Sequence, residues 1–148
     1  MKKWHLTFMV IFIALLLGFG FFQWRPSTAS DTILEARKQI IESISPSDGV
    51  TMIDKNKNNP NFIILDVRTP KEYDQEHISG AMNLDFYTHS FRTNLNQLDK
   101  GKTYLVYCRS GRRSSLSLDM MRELGFSNVY NVSGGTLSWK AHELPYLN

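Results

Sequence analysis

Cys108-Arg109-Ser110-Gly111-Arg112-Arg113-Ser114 holds the chain's one cysteine and three arginines within five residues of it. An apolar run, Tyr104-Leu105-Val106-Tyr107, leads directly into this segment, and a helical pattern follows it. A cysteine at the end of a buried strand sits on rigid structure. The loop beyond it turns toward a helix N-terminus, where backbone N–H groups have no intrahelical partner. Those donors and the three arginines favour thiolate over thiol, below the value near 8.5 of a free cysteine. They also suit an oxyanion held beside the sulfur. Gly111 permits the tight curl. A lone cysteine is commonly an inert core residue. A core role does not explain three neighbouring arginines, so Cys108 is read as a reactive thiolate. The binding groups are read as Arg109, Ser110, Gly111, Arg112, Arg113 and Ser114.

The elements that must position this loop are legible as alternating strands and helices. Phe62-Ile63-Ile64-Leu65 and Tyr104-Leu105-Val106-Tyr107 are continuous apolar runs, as in parallel strands covered on both faces. Val129–Val132 predicts a third strand, and Ala81–Leu84 a shorter fourth. Leu116, Met120, Met121 and Leu124 form one helical stripe, closed by Gly125. Ser45-Pro46-Ser47-Asp48 marks a strand end followed by a helix start, and that helix continues weakly to Lys57. Lys55 to Asn61 is a polar loop. The pattern predicts an α/β domain with a mostly parallel central sheet flanked by helices.

The chain has 148 residues, which suits one domain. One cysteine excludes an internal disulfide and a zinc site built on two or more thiolates. His5, His77, His89 and His142 have no metal-ligand spacing, and no metal or cofactor is expected. The formal net charge is +3. Lys2, Lys3 and Arg25 are the only Lys or Arg before Asp31, and removing these three from 17 leaves 14 against 14 acidic residues. The bulk of the chain is therefore neutral, and no nucleic-acid partner is expected.

Residues 6–22 carry no charge. As a helix they would extend about 26 Å, at the low end for a membrane span. Lys2 and Lys3 precede the run, and Trp4 and Trp24 flank it. Two readings of residues 1–30 compete: a retained membrane anchor, or a signal peptide cut after Ala29. Both place the following domain on the extracytoplasmic side, either held at the cell membrane or released as a secreted or periplasmic protein. Residues 31–44, with Ile33, Leu34, Ile40, Ile41 and Ile44 as the apolar set, read as a short amphipathic linker helix. Residues 45–148 form the domain.

The loop resembles the active-site loop of the rhodanese family, the single-domain sulfurtransferases. Asp66-Val67-Arg68 resembles the family's D-V-R element. Glu72-Tyr73 followed by His77-Ile78-Ser79-Gly80-Ala81 and Asn83 resembles its E-[FY] and H-I-x-G-A-x-N element. Gly134-Gly135, Trp139 and Pro145 resemble its C-terminal element. The likeness runs from about Ser45 to Tyr146. It implies that Cys108 takes sulfane sulfur from a small anionic donor such as thiosulfate and passes it from a persulfide to a thiol or cyanide-like acceptor. It implies that Arg109 and Arg113 hold the donor, that the N–H groups of Ser110 to Ser114 stabilise the persulfide, and that Arg112 turns toward solvent. Asp66 and Arg68 are expected to support the loop, and His77 to serve as a structural turn residue. Related phosphatases place an arginine after the cysteine and five intervening residues, a position held here by Ser114. The likeness departs at Glu76 and Glu143, where glycine is frequent in the family. The alternative to an enzyme is a non-catalytic module of the same fold, used for redox sensing or protein docking.

Overall fold

The computed structural model describes residues 39–148. The expected membrane or signal segment, and residues 31–38 of the expected linker helix, lie outside the described residues. Among the described residues no helix is long and apolar enough to cross a membrane.

Ten elements follow in order: β1 (Ile40–Ile44), α1 (Pro46–Lys55), β2 (Phe62–Asp66), α2 (Pro70–Gln75), β3 (Met82–Asn83), α3 (Phe91–Asn96), β4 (Thr103–Tyr107), α4 (Arg112–Glu123), β5 (Asn128–Val132) and α5 (Gly135–Ala141). The five strands make one sheet in the order β1-β5-β4-β2-β3, and every pairing is parallel. The strands read at 62–65, 104–107 and 129–132 form as β2, β4 and β5. The fourth shrinks to Met82 and Asn83.

One expectation is corrected. Residues 40–44 are a strand, not the end of a helix. Ile40 to Ile44 pair in register with Asn128 to Val132. The spacing of Ile40, Ile41 and Ile44 fits a helical stripe as well as a short edge strand, and the free edge of β5 decides between them. Gln39 adds a tie ahead of the strand, donating from Nε2 to the carbonyls of Arg122 and Phe126.

Helix boundaries follow local chemistry. Ser45 caps α1, accepting from the Asp48 N–H at 3.1 Å, and Pro46 opens the first turn. Thr69 and Glu72 form a reciprocal capping box at the start of α2. At the end of α4, Gly125 takes φ 86°, its N–H reaches the Arg122 carbonyl, and the Phe126 N–H reaches that of Met121. This is the Schellman arrangement, so Gly125 serves as the stop read from sequence.

Strand alternation divides the core in two. Tyr104, Val106 and Cys108 face the side covered by Phe91, Leu95, Leu118 and Met121 of α3 and α4. Leu105 and Tyr107 face the side that holds Ile53 of α1 and Trp139 of α5. Trp139 is fully buried and donates Nε1–H to the Pro145 carbonyl at 2.8 Å.

Candidate active site

Cys108 continues the alternation of β4 and is fully buried beneath the start of α4. The chain then reverses through Gly111, which takes φ 87° as the N-cap of that helix. A Cβ there would stand 2.9 Å from the Gly134 nitrogen, so the left-handed turn and the close approach both require glycine. The reversal aims two donors at sulfur: the Gly111 N–H, 3.2 Å from Sγ, and the Ser114 hydroxyl, 3.4 Å away. Ser114 can also donate to the Gly111 carbonyl at 3.2 Å. A hydroxyl has one proton, so a negative sulfur would draw it away from that carbonyl.

Burial alone pushes the Cys108 thiol up. The Ser114 hydroxyl and the N–H groups of Ser114, Ser110 and Gly111 outweigh it and bring the thiol below its ordinary value.

A second helix holds the loop from behind. The N–H groups of Thr136 and Leu137, in the first turn of α5, donate to the carbonyls of Cys108 and Arg109 at 2.9 and 3.0 Å. With those carbonyls turned toward α5, the loop's N–H groups are left to face sulfur. Gly135 makes the approach possible, since a Cβ there would overlap the Cys108 carbonyl. The Gly134-Gly135 pair is visible in sequence; its contact with the cysteine is not.

The arginines are not equivalent. Arg113 is spent on Glu72: Nη1 lies 2.8 Å from Oε2 and Nη2 2.7 Å from Oε1. Its guanidinium also lies 5.4 Å from the Tyr87 ring centre. Arg113 was expected to hold the anionic donor, but in this structure its charge is already paired. Arg109 and Arg112 are exposed and make no ion pair among the described residues. Both line a cleft of about 370 Å³ with Ser110, Arg113, Glu72, Phe86, Tyr87 and Leu116. Arg112, expected toward solvent, thus borders the same opening as Arg109. Glu72 escaped sequence reasoning as the partner of Arg113, although its place three residues after Thr69 marks it as a capping residue.

Asp66 and Arg68 form a buried pair beside the sulfur loop. Arg68 Nη2 and Nε lie 2.6 and 2.9 Å from Asp66 Oδ2, and Nη2 also reaches the Glu76 carbonyl at 2.6 Å. The guanidinium lies 5.5 Å from the ring centre of Tyr107, the residue before Cys108. Together they brace the ends of β2, β4 and α2. His77 directs Nδ1 to the Tyr73 carbonyl at 3.0 Å and stacks on the Tyr73 ring, a turn role. Asn131, within a glycosylation tripeptide, is buried and donates Nδ2–H to Ser43.

Of the two positions where the likeness departs, Glu76 is extended at φ −170° and pairs with Lys140. Glu143 takes φ 51°, the left-handed region where glycine is favoured.

The family described as Rhodanese-like domain matches residues 50–142. A sulfurtransferase of Allochromatium vinosum is 28% identical over 102 residues, covering 69% of this chain and 94% of that protein. The thiosulfate sulfurtransferase PspE of Escherichia coli is 37% identical over 70 residues, covering 47% of this chain and 67% of that protein. The crystal structure of a rhodanese-related protein from Thermoplasma volcanium superposes with a TM-score of 0.59 at 28% identity, covering 72% of this chain and 97% of that one.

Proposed function

Because the chain belongs to the rhodanese-like domain family, we propose that it is a sulfurtransferase that carries sulfane sulfur on Cys108. The observation that supports this most directly is the convergence of the Gly111 N–H and the Ser114 hydroxyl on Cys108 Sγ. The Cys108 thiolate attacks the outer sulfur of a thiosulfate-like donor. The donor's S–S bond breaks, sulfite leaves with the electron pair, and Cys108 becomes a persulfide. The loop N–H groups that faced the thiolate then face the anionic outer sulfur. An acceptor such as cyanide or a thiolate takes that sulfur, and Cys108 returns as a thiolate. No metal or cofactor takes part in this scheme.

Ser114 supports transfer of sulfur over phosphoryl transfer. It stands where related phosphatases place their arginine, and its hydroxyl lies on the sulfur itself. A short hydroxyl there leaves no guanidinium to grip a tetrahedral phosphoryl group.

Arg109 and Arg112 attract the donor in this scheme, while Arg113 with Glu72 forms the wall beside it. The Asp66–Arg68 pair holds the strand ends from which the loop departs. For the whole chain, residues 6–22 anchor it in the cell membrane with the domain on the extracytoplasmic side. Two lysines before that run and two tryptophans around it support this placement.

The test is thiocyanate formation by the full-length protein supplied with thiosulfate and cyanide. Product is expected, with Cys108→Ala abolishing it. Equal turnover by that variant would sink the proposal.

A further inference from the structure

We propose that the face around the sulfur loop docks a polypeptide acceptor whose cysteine is flanked by acidic and apolar residues. This rests on the sulfurtransferase reading above and names the acceptor, which that reading leaves as a chemical type.

The exposed apolar side chains carry the first part of the case. Tyr87 is 68% exposed, Leu116 44% and Leu137 48%. Tyr87 and Leu116 line the cleft that holds Arg109 and Arg112. Leu137 lines a second, smaller cleft of about 170 Å³, which shares Arg109 and Glu72 with the first. Apolar groups therefore flank the sulfur loop on two sides. A thiosulfate or cyanide ion needs neither flank.

Tyr87 is also held in place. Its ring meets Phe86 edge-on at 5.7 Å between centroids, and Arg113 lies against it. Its N–H donates to Asp85 Oδ1 at 2.9 Å. An exposed aromatic ring fixed from behind loses little freedom on binding, which is the character of an interface anchor.

Charge selects the partner. The larger cleft holds three arginines against one glutamate, and Glu72 is matched by Arg113. The two arginines left over favour a partner with carboxylates beside its cysteine. Cys108 is fully buried and is the chain's only cysteine, so the attacking thiol must come from outside and enter the opening. An anionic bilayer would satisfy the same charges. Laid across this face, however, it would close the route by which a soluble donor reaches sulfur.

The transfer balances without an oxidant or reductant. The acceptor thiol gives its proton to solvent, and its thiolate attacks the outer sulfur of the Cys108 persulfide. That persulfide's S–S bond breaks as the new one forms. Cys108 leaves as a thiolate, and the acceptor holds the persulfide.

The experiment loads the full-length protein with thiosulfate and measures sulfur transfer to synthetic cysteine peptides. One peptide has acidic and apolar flanks, one basic flanks, and glutathione serves as the small thiol. The acidic-apolar peptide is expected to accept about tenfold faster than either, and Leu116→Ser with Leu137→Ser to erase that advantage. Each peptide rate is read as a ratio to thiocyanate formation by the same protein, so a loss confined to the peptide marks failure of docking and a loss shared by both marks failure of sulfur transfer. Equal rates for the three acceptors would overturn the proposal. So would a double variant that keeps its peptide rate but loses the full-length protein's preference for anionic over neutral vesicles, since the face would then be a lipid contact.

Discussion

Glu72 grips Arg113 by both terminal nitrogens, at 2.7 and 2.8 Å, and so ties the first turn of α2 to the first turn of α4. The same carboxylate accepts from the backbone and hydroxyl of Thr69. One residue thus caps a helix, fixes an arginine of the sulfur loop and sets which cations remain free for an anion.

Glu72→Gln removes a negative charge from the cleft and releases Arg113 toward it. For thiosulfate the KM is expected to fall about threefold with kcat little changed, a gain of well under 1 kcal/mol, in keeping with a partly solvated charge. A raised KM would show instead that the carboxylate aims Arg113 at the donor. Stability moves the other way. The Arg113 hydrogen bonds hold Glu72 down at about 2 against an ordinary 4.5. Its folded-state value is depressed, so the stabilisation is complete above the ordinary value and is lost as pH falls toward 2. Acid unfolding of the wild type should show this extra slope, and Glu72→Gln should lack it. Near neutral pH the substitution should cost about 1–2 kcal/mol after allowance for solvent screening.

Ser114→Ala tests the donors around sulfur. Wild-type alkylation by iodoacetamide is expected to follow a thiolate titration centred below that of an ordinary cysteine. Burial acts to raise that midpoint, and the hydroxyl of Ser114 is the largest of the effects that lower it. Its removal should shift the alkylation midpoint upward and slow persulfide formation about tenfold at pH 7. An unmoved midpoint would assign the lowering to the backbone alone.

Gly135→Ala places a methyl group against the Cys108 carbonyl, at a residue held at φ 56°. The loop or α5 must move, and both carry the site. A stability loss of about 2–4 kcal/mol is expected from the clash and the left-handed backbone together. Thiocyanate formation should fall further than the folded fraction measured by circular dichroism.

The contrast between Cys108 and Glu72 shows what could be read from sequence. The Cys108 loop is contiguous, so its donors, its glycine turn and its arginines are visible as one string. The partner of Arg113 lies 41 residues away, and only the fold, which brings the first turns of α2 and α4 within side-chain reach, selects it. The contact from Thr136 to the Cys108 carbonyl is hidden for the same reason, and a backbone donor leaves no mark in residue type. The central strands were legible because burial on both faces demands unbroken apolar runs. The edge strand Ile40–Ile44 was not, since it pairs on one side only and its residues alternate weakly between cover and solvent.

Asp66→Asn leaves Arg68 buried with its charge unmatched. A loss of about 3–5 kcal/mol is expected by urea unfolding. Asp66→Asn with Arg68→Met removes both charges and should recover part of that loss. If the pair only braces the strand ends, residual thiocyanate formation in the double variant should track its folded fraction. A double variant that is folded but inactive would move Asp66 or Arg68 into the chemistry.

Glu143→Gly addresses the strained turn after α5. Glu143 sits at φ 51°, where an L side chain crowds the backbone and glycine does not. Its carboxylate forms no ion pair among the described residues, so little is lost with it. Glycine also increases the freedom of the unfolded chain, which opposes the gain. Relief of the left-handed strain is worth about 1 kcal/mol or more, and the entropy cost is somewhat smaller. A net stabilisation of about 0.5 kcal/mol is therefore expected, read as a raised urea midpoint with an unchanged slope. The Leu144 N–H bonds the Trp139 carbonyl just beyond this turn. A lowered midpoint would mean that the glutamate's restricted backbone, and not its strain, decides how the C-terminal segment closes over Trp139.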